Sequence, residues 1–192
     1  MLAVSSVISY ISVMTEIRDM PTAAEHSFIL HWGDMGVSWG MSRSTCQIQA
    51  LLYLAQKPMN AEDIANALRL ARSNISTSLK ELLSWNLIIR VPLPNDRRDH
   101  FIAELDVWEI ARRISARRKE LEIDPAISAL RKSVVLAEGE RNPETIKRLN
   151  AMLQFTERLD AWYGDMQRIP RGQLEMLMKF GAKIIGFLPR AK

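Results

Sequence analysis

The chain has 192 residues, of which 47% are hydrophobic and 25% are charged. This length suits one compact domain or a small domain with a helical attachment, and the apolar fraction excludes a chain that is disordered throughout. The single cysteine excludes a disulfide within the chain, and no apolar run approaches the roughly 18 residues that span a bilayer. We therefore expect a cytoplasmic protein with no membrane partner.

The 26 Lys and Arg residues exceed the 22 Asp and Glu residues, which gives a net charge of +4. The surplus is concentrated between Arg69 and Lys119, where eleven basic residues stand against six acidic ones. A basic segment of this kind is typical of a nucleic-acid-binding surface. Solvated helix faces would give the same excess, so charge by itself leaves both interpretations open.

Residues Met1–Met14 are apolar and rich in serine but lack the basic start of a signal peptide. We expect residues 1–20 to form an irregular N-terminal extension. The methionine at Met14 suggests the hypothesis that translation begins there.

Two helices are predicted next. From Pro21 to Trp39 apolar residues recur near helical spacing, Thr22 can cap the helix, and we expect Gly36 to end it. A second helix is predicted over Ser42–Gln56, where the following Lys57-Pro58 pair stops it.

The next segment predicts a helix-turn-helix. Asn60 can cap a short helix over Ala61–Leu70, and Ser73 can cap a further helix that runs to about Trp85. The second helix has apolar residues at i, i+4, i+7 and i+8, which predicts one buried face. Two short helices joined by a tight turn form the helix-turn-helix motif.

A β-hairpin is predicted directly after it. Leu87–Val91 and His100–Leu105 have strand-like composition or alternation, and Pro92–Asp99 is turn-prone, which places Asp96–Asp99 at the hairpin tip. A hairpin that follows a helix-turn-helix makes a winged helix. The order of the elements carries this prediction, since each element alone is a weak signal.

The rest of the chain is predicted to be helical, with starts at Asp106, Asp124-Pro125 and Asn142-Pro143 and a last helix over Arg171–Phe187. The predicted fold is therefore mainly α with a small β-hairpin wing. We expect a winged helix-turn-helix DNA-binding domain at 21–106 and a helical dimerisation region at 107–192.

Candidate DNA-binding residues lie on the second helix and in the wing. Short hydrogen-bonding side chains can reach base edges in the major groove, and wing arginines can enter the minor groove, where an aspartate can orient the guanidinium. The candidates are Arg72, Ser73, Asn74, Ser76, Thr77, Lys80, Arg97 and Arg98. The alternatives are an ordinary polar helix face and an ordinary charged turn. A later basic run can contact phosphates or simply solvate its helix: Arg112, Arg113, Arg117, Arg118 and Lys119.

Nothing in the sequence indicates an enzyme, a metal site or a cofactor. His26, His31 and His100 lack metal-ligand spacing, there is no glycine-rich phosphate loop, and Cys46 lies in an apolar helix segment typical of a core residue. Some of the five tryptophans could form an aromatic box for a cation, although aromatic residues at helical spacing are more often core. The candidate effector-binding residues are Trp32, Trp39 and Trp108.

Several segments together resemble the GbsR branch of the MarR-type transcriptional regulators. They are the run His31–Gly36, the helix-turn-helix through Asn74–Ser76, the wing from Asn95 to Phe101 and the later Glu122–Pro125. The resemblance covers roughly residues 22 to 185, and Asp96 and Arg98 match the Asp-x-Arg of MarR wings. It implies a homodimeric winged-helix regulator whose first and C-terminal helices form the dimer interface. It also implies a response to choline, which some members of the branch show.

The sequence therefore predicts a transcriptional repressor that binds double-stranded DNA as a homodimer on a pseudopalindromic operator and is released by a small cationic effector such as choline. The alternative is a winged-helix module that binds protein without sequence-specific DNA binding. A non-specific nucleic-acid binder is a third interpretation.

Overall fold

The computed structural model describes residues 20–185, with side chains described as far as Gly181. Residues 1–19 of the expected extension, and the expected end of the last helix at Phe187, lie outside this part. The chain divides into two compact units, Met1–Arg113 and Ile114–Lys192. The predicted fold class is confirmed, since the described residues are mainly helical with one small antiparallel sheet.

Within residues 20–185, the first unit has four helices, three short strands and the start of a fifth helix: α1 (Ala23–Ser38), α2 (Arg43–Leu54), β1 (Met59–Asn60), α3 (Ala61–Leu68), α4 (Arg72–Ser84), β2 (Ile88–Leu93), β3 (Asp96–Ala103) and α5 (Val107–Arg118). The described part of the second unit has the end of α5, a π-helical turn and three helices: the turn Lys119–Ile123, α6 (Asp124–Gly139), α7 (Pro143–Arg168) and α8 (Arg171–Ile185).

The helix-turn-helix consists of α3 and α4. The Asn60 side chain caps α3, as the sequence predicts, and Asp63 reaches back to the cap. Arg69 then takes the left-handed conformation with φ of 54°, which ends α3 two residues earlier than expected. The predicted cap at Ser73 is wrong. Because the chain turns early, α4 begins at Arg72 and its N-cap is Ala71, which makes no side-chain cap hydrogen bond.

The wing is a three-stranded antiparallel sheet in the order β1-β3-β2. β2 and β3 pair from Ile88 opposite Ala103 to Val91 opposite His100, and Met59 of β1 lies opposite Phe101. The two-residue β1 was not predicted because a strand so short shows no alternation.

The hairpin tip lies at residues 94–95, where Asn95 has φ of +65°. The predicted tip at Asp96–Asp99 is therefore wrong, and these four residues form the first half of β3. Asparagine tolerates the left-handed conformation, so Asn95 supplies the bend in the shortest possible loop.

In the second half of the chain, the predicted helix start at Asp124-Pro125 is where α6 begins, although the backbone does not leave the helical conformation there. Asp124 keeps helical backbone angles, and α6 continues directly from the π-helical turn. Pro125 cannot donate a hydrogen bond, and its ring crowds the carbonyl one turn before it. The wider turn at Lys119–Ile123 lies where that conflict arises and accommodates it without ending the helix.

The helices α1 and α2 are in close contact at two glycines. A Cβ on Gly36 would lie 1.9 Å from Sγ and 2.7 Å from Cβ of Cys46, and a Cβ on Gly33 would lie 2.7 Å from Cγ of Gln47. The expectation that Gly36 ends the first helix is thus wrong, because α1 continues to Ser38. Gly36 is needed for close packing, a role that sequence spacing does not reveal.

We predict that Gly36→Ala lowers the free energy of unfolding by about 1–3 kcal/mol, the usual cost of forcing extra volume into a packed core. Adding Cys46→Ala should recover part of the loss, since it removes the nearer of the two clashing atoms. Thermal denaturation of the two variants measures both effects.

The matched control is Gly164→Ala near the C-terminal end of α7. A Cβ there meets nothing within 4 Å, so helix propensity should raise stability by up to about 1 kcal/mol. If Gly36→Ala is instead neutral or stabilising, α1 and α2 are not packed this closely.

Candidate nucleic-acid interface

The exposed face of α4 carries six of the eight residues predicted to bind DNA. Ile75, Ser78, Leu79 and Leu82 are buried and define the inner face of the helix. The six candidates are exposed and lie within the first nine positions of α4: Arg72, Ser73, Asn74, Ser76, Thr77 and Lys80. The N-terminal half of α4 therefore presents short hydrogen-bonding side chains with a cation near each end.

Buried hydrogen bonds join α4 to α2. Thr45 is fully buried, and its hydroxyl lies 2.6 Å from Oε2 of Glu81 and 3.1 Å from Oγ of Ser78. Ser42, which caps α2, lies 2.7 Å from the same hydroxyl. Because hydrogen bonds are directional, these contacts fix the rotation of α4 and hence which of its faces meets solvent.

In the wing, Asp96 and Arg98 form a bidentate pair. Nε and Nη2 of Arg98 donate to the two carboxylate oxygens of Asp96 at 3.0 and 2.6 Å, and the backbone N–H of Arg98 donates to Asp96 Oδ1 at 2.9 Å. These hydrogen bonds hold the pKa of Asp96 well below its usual range and raise the pKa of Arg98. The arginine is thus fixed before any ligand arrives.

Glu62, at the start of α3, forms ion pairs with one arginine of α4 and one arginine of the wing. Its Oε1 lies 3.2 Å from Nη2 of Arg72, and its Oε2 lies 3.7 Å from Nη1 of Arg98. The sequence offers only a helix-dipole role for this residue, since no pattern along the chain shows that α3, α4 and the wing meet there. Arg72 and Arg98 therefore share one carboxylate.

Two of the candidate cations have no such partner. Arg97 and Lys80 are exposed, and neither forms an ion pair with any residue of the described part of the chain. Arg90 on β2 pairs with Asp99 on β3 at 3.5 Å. The groove between α4 and the wing therefore combines fixed and free positive charges around the exposed end of α4.

The basic run on α5 and the following turn is different, because its arginines are paired with acids one turn away and Lys119 is paired with Asp124 and Asp160. Arg112 and Arg113 both donate to Glu109, and their hydrogen bonds, opposed in part by burial, lower the Glu109 pKa to about 2. In the second unit, Arg117 pairs with Glu120 and Arg118 with Glu122. These contacts support the interpretation of this run as a solvated helix face.

The aromatic candidates are brought together in part. The Trp32 and Trp39 rings meet edge to face with centroids 5.3 Å apart, and Phe28 stacks on Trp32 at 5.5 Å. The Trp32 indole donates to Gln49 Oε1 at 2.6 Å, which anchors it to α2. Trp108 lies half-buried in the first turn of α5, with its backbone N–H donating to Asp106.

The described residues contain no cluster of three His, Cys, Asp or Glu residues able to hold a metal ion. Cys46 is buried between α1 and α2, and burial together with the charge of Glu81 raises the pKa of its thiol to about 11. None of the helices in residues 20–185 is long and apolar enough to cross a membrane.

Comparison with known proteins agrees with this geometry. Residues 39–99, from the end of α1 to Asp99 in the wing, match the family model described as MarR family. A crystal structure described as a transcriptional regulator superposes with a TM-score of 0.60 at 18% identity, covering 75% of this chain and 95% of that one. The fold is that of the MarR winged helix.

Two structures of MepR from Staphylococcus aureus are more distant. One, a transcription regulator of the multidrug efflux pump MepA, has a TM-score of 0.34 at 14% identity and covers 94% of this chain and 98% of its own. The other, in a DNA-binding conformation, has a TM-score of 0.36 at 18% identity and covers 77% and 96%. No curated protein sequence matches the chain.

Proposed function

We propose that the chain is a sequence-specific DNA-binding transcriptional regulator of the GbsR branch. The proposal rests on the presence, in one domain, of an α4 helix whose N-terminal half is polar and exposed and of a wing arginine that Asp96 already orients. In winged-helix proteins the second helix of the motif enters the major groove, and its N-terminal residues contact base edges. An idle helix surface would be expected to carry better helix formers than Ser and Thr.

The α4 residues divide into two roles. Asn74, Ser76 and Thr77 have short side chains that can hydrogen-bond to base edges, and Ser73 lies beside them at the second position of the helix. Arg72 and Lys80 carry the charge for phosphate contacts at the two ends of this segment.

The wing arginines supply the second contact. Arg98 leaves the sheet in a fixed direction, which suits insertion into a narrow minor groove where negative potential is concentrated. Arg97 is exposed and unpaired within the described residues, which suits a phosphate contact that needs no fixed geometry.

We also propose that the protein acts as a homodimer through the second unit. One face of α7 carries four large apolar side chains that are 43–60% exposed: Met152, Phe155, Leu159 and Trp162. Exposed apolar stripes of this kind mark association surfaces. Two copies would place their α4 helices on half-sites about 10 bp apart, so the operator would be pseudopalindromic. Light scattering on the purified protein would give the mass of two chains.

We predict that Arg98→Ala weakens binding to a duplex selected from a random library and lowers the slope of log affinity against log salt by about one unit, because one phosphate or minor-groove contact is lost. Fluorescence anisotropy at several salt concentrations measures this. The matched control is Arg148→Ala, since Arg148 is also exposed and paired with an acid but lies in the second unit. Equal affinities for the wild type and Arg98→Ala at every salt concentration would contradict the wing assignment.

We predict a different effect for Asn74→Ala. It should cost about 1–3 kcal/mol on the selected duplex and leave affinity for random DNA unchanged, since a base contact discriminates between sequences. Lys80→Ala should weaken both complexes equally. A uniform loss for Asn74→Ala would assign it to the backbone instead.

The regulatory proposal is that of a repressor released by a small organic cation such as choline. Phe28, Trp32 and Trp39 form a connected aromatic surface, and the faces of such rings attract quaternary ammonium groups. The first unit holds both this surface and α4, so a bound cation can shift the population of DNA-binding conformations. Trp108 on α5 is the third candidate tryptophan.

We predict that calorimetry detects choline binding, that Trp39→Ala abolishes it, and that choline lowers affinity for the selected duplex. The neutral carbon isostere of choline is the matched control, because it keeps the shape and loses the charge on which a cation–π contact depends. Equal binding of both compounds would exclude an aromatic cation site.

A further inference from the structure

His100 is a buried polar residue in the wing whose ring lies beside the Asp96–Arg98 pair. Only 3% of its surface is exposed. Its Nδ1 lies 2.9 Å from the backbone carbonyl oxygen of Arg98, and its Nε2 lies 3.5 Å from Oδ2 of Asp96. Because a carbonyl oxygen can only accept a hydrogen bond, Nδ1 is the donor and carries the proton.

The strand pairing is irregular at Arg98. The pairing of β2 with β3 is irregular between Val91 and Leu93, where residues 97–99 of β3 lie opposite Pro92 alone. Proline has no backbone N–H and cannot donate to a facing strand. The imidazole of His100 donates to the Arg98 carbonyl at this irregular point, and an unmade hydrogen bond there would cost free energy.

Arg98 is consequently held at three points by two residues. Asp96 accepts from its backbone N–H and from its guanidinium, and His100 donates to its carbonyl. The peptide groups on both sides of the Arg98 Cα are thereby fixed, and they determine the direction in which the side chain leaves the strand.

We propose that His100 is a positioning residue for DNA binding, which acts by fixing the backbone of Arg98 and with it the guanidinium that enters the minor groove. The role in DNA binding rests on the proposed function, whereas the fixing of Arg98 does not.

The surrounding groups do not replace this donor. On β3, Asp96 lies beside Nε2 of His100, and the adjacent Asp99 is paired with Arg90 of β2. Across the sheet, Asn60 lies opposite His100, but its amide is committed to Asp63 and to the cap of α3. Glu62 and Asp63 raise the pKa of the Arg98 guanidinium by their charge alone and offer no hydrogen to its carbonyl.

The test compares three substitutions at this position. His100→Phe keeps the ring volume and removes both nitrogens, His100→Asn keeps a donor near the place of Nδ1, and His100→Gln moves the amide toward the place of Nε2. In the free protein, the Nε–H signal of Arg98 in a nitrogen–proton NMR correlation should be protected from exchange in the wild type and in His100→Asn. It should lose protection in His100→Phe and His100→Gln.

On the selected duplex, His100→Phe should bind on the order of tenfold more weakly than the wild type, since the arginine must be ordered upon binding. His100→Asn should restore most of the affinity. In an Arg98→Ala background, His100→Phe should cause no further loss, because residues that act through one contact are not additive.

Three results would overturn the proposal. The first is that the Arg98 signal in His100→Phe keeps wild-type protection, and the second is that the affinity loss of His100→Phe adds fully to that of Arg98→Ala. The third is that His100→Asn and His100→Gln show equal protection and equal affinity. If His100→Phe fails to fold, the Asn and Gln variants decide by that last comparison. If the wild type itself selects no duplex, the proposed function fails, and the NMR comparison still decides whether His100 fixes Arg98.

Discussion

The buried hydrogen bonds of Thr45 determine where α4 lies, and the rest of the candidate interface depends on that position. An apolar contact between two helices tolerates small rotations, because burial is proportional to area and has no direction. Thr45 instead requires Glu81 and Ser78 of α4 at hydrogen-bond distance, and leaving these groups unpaired inside the protein would cost about 1–3 kcal/mol each. Satisfying them places Ser73, Ser76 and Thr77 on the solvent side of α4.

The wing is connected to α3 of the helix-turn-helix through its shortest strand. β1 pairs with β3 and passes directly into α3, whose cap, Asn60, is itself opposite His100. The position of the wing is therefore linked to the start of α3, and Glu62 in the first turn of that helix reaches both Arg72 and Arg98. Exposed ion pairs contribute little stability, so this carboxylate matters chiefly for the geometry of the two cations.

Local signals in the sequence were sufficient to predict the order of the elements but not the contacts between them. The caps at Thr22 and Asn60 and the helix start at Asn142-Pro143 are confirmed, because a cap is formed by residues three positions apart. The role of Gly36 depends on Cys46, and the π-helical turn depends on the conflict created by Pro125, neither of which periodicity detects. The exposed face of α4 follows from its apolar spacing, whereas Glu62 and His100 join the site only because strands and helices distant in the chain meet there.

The difference between Arg97 and Arg98 shows how contacts from neighbouring side chains change the role of an arginine. The two residues are adjacent, equally charged and indistinguishable in composition. Arg98 has its backbone and guanidinium fixed by Asp96 and His100, so ordering it on binding costs little conformational entropy, and its direction is specified in advance. Arg97, without an ion pair in the described part of the chain, adds charge and would have to be ordered by the ligand. A wing built in this way separates geometry from electrostatic attraction, so that a change at residue 98 affects fit and charge together, while a change at residue 97 affects charge alone.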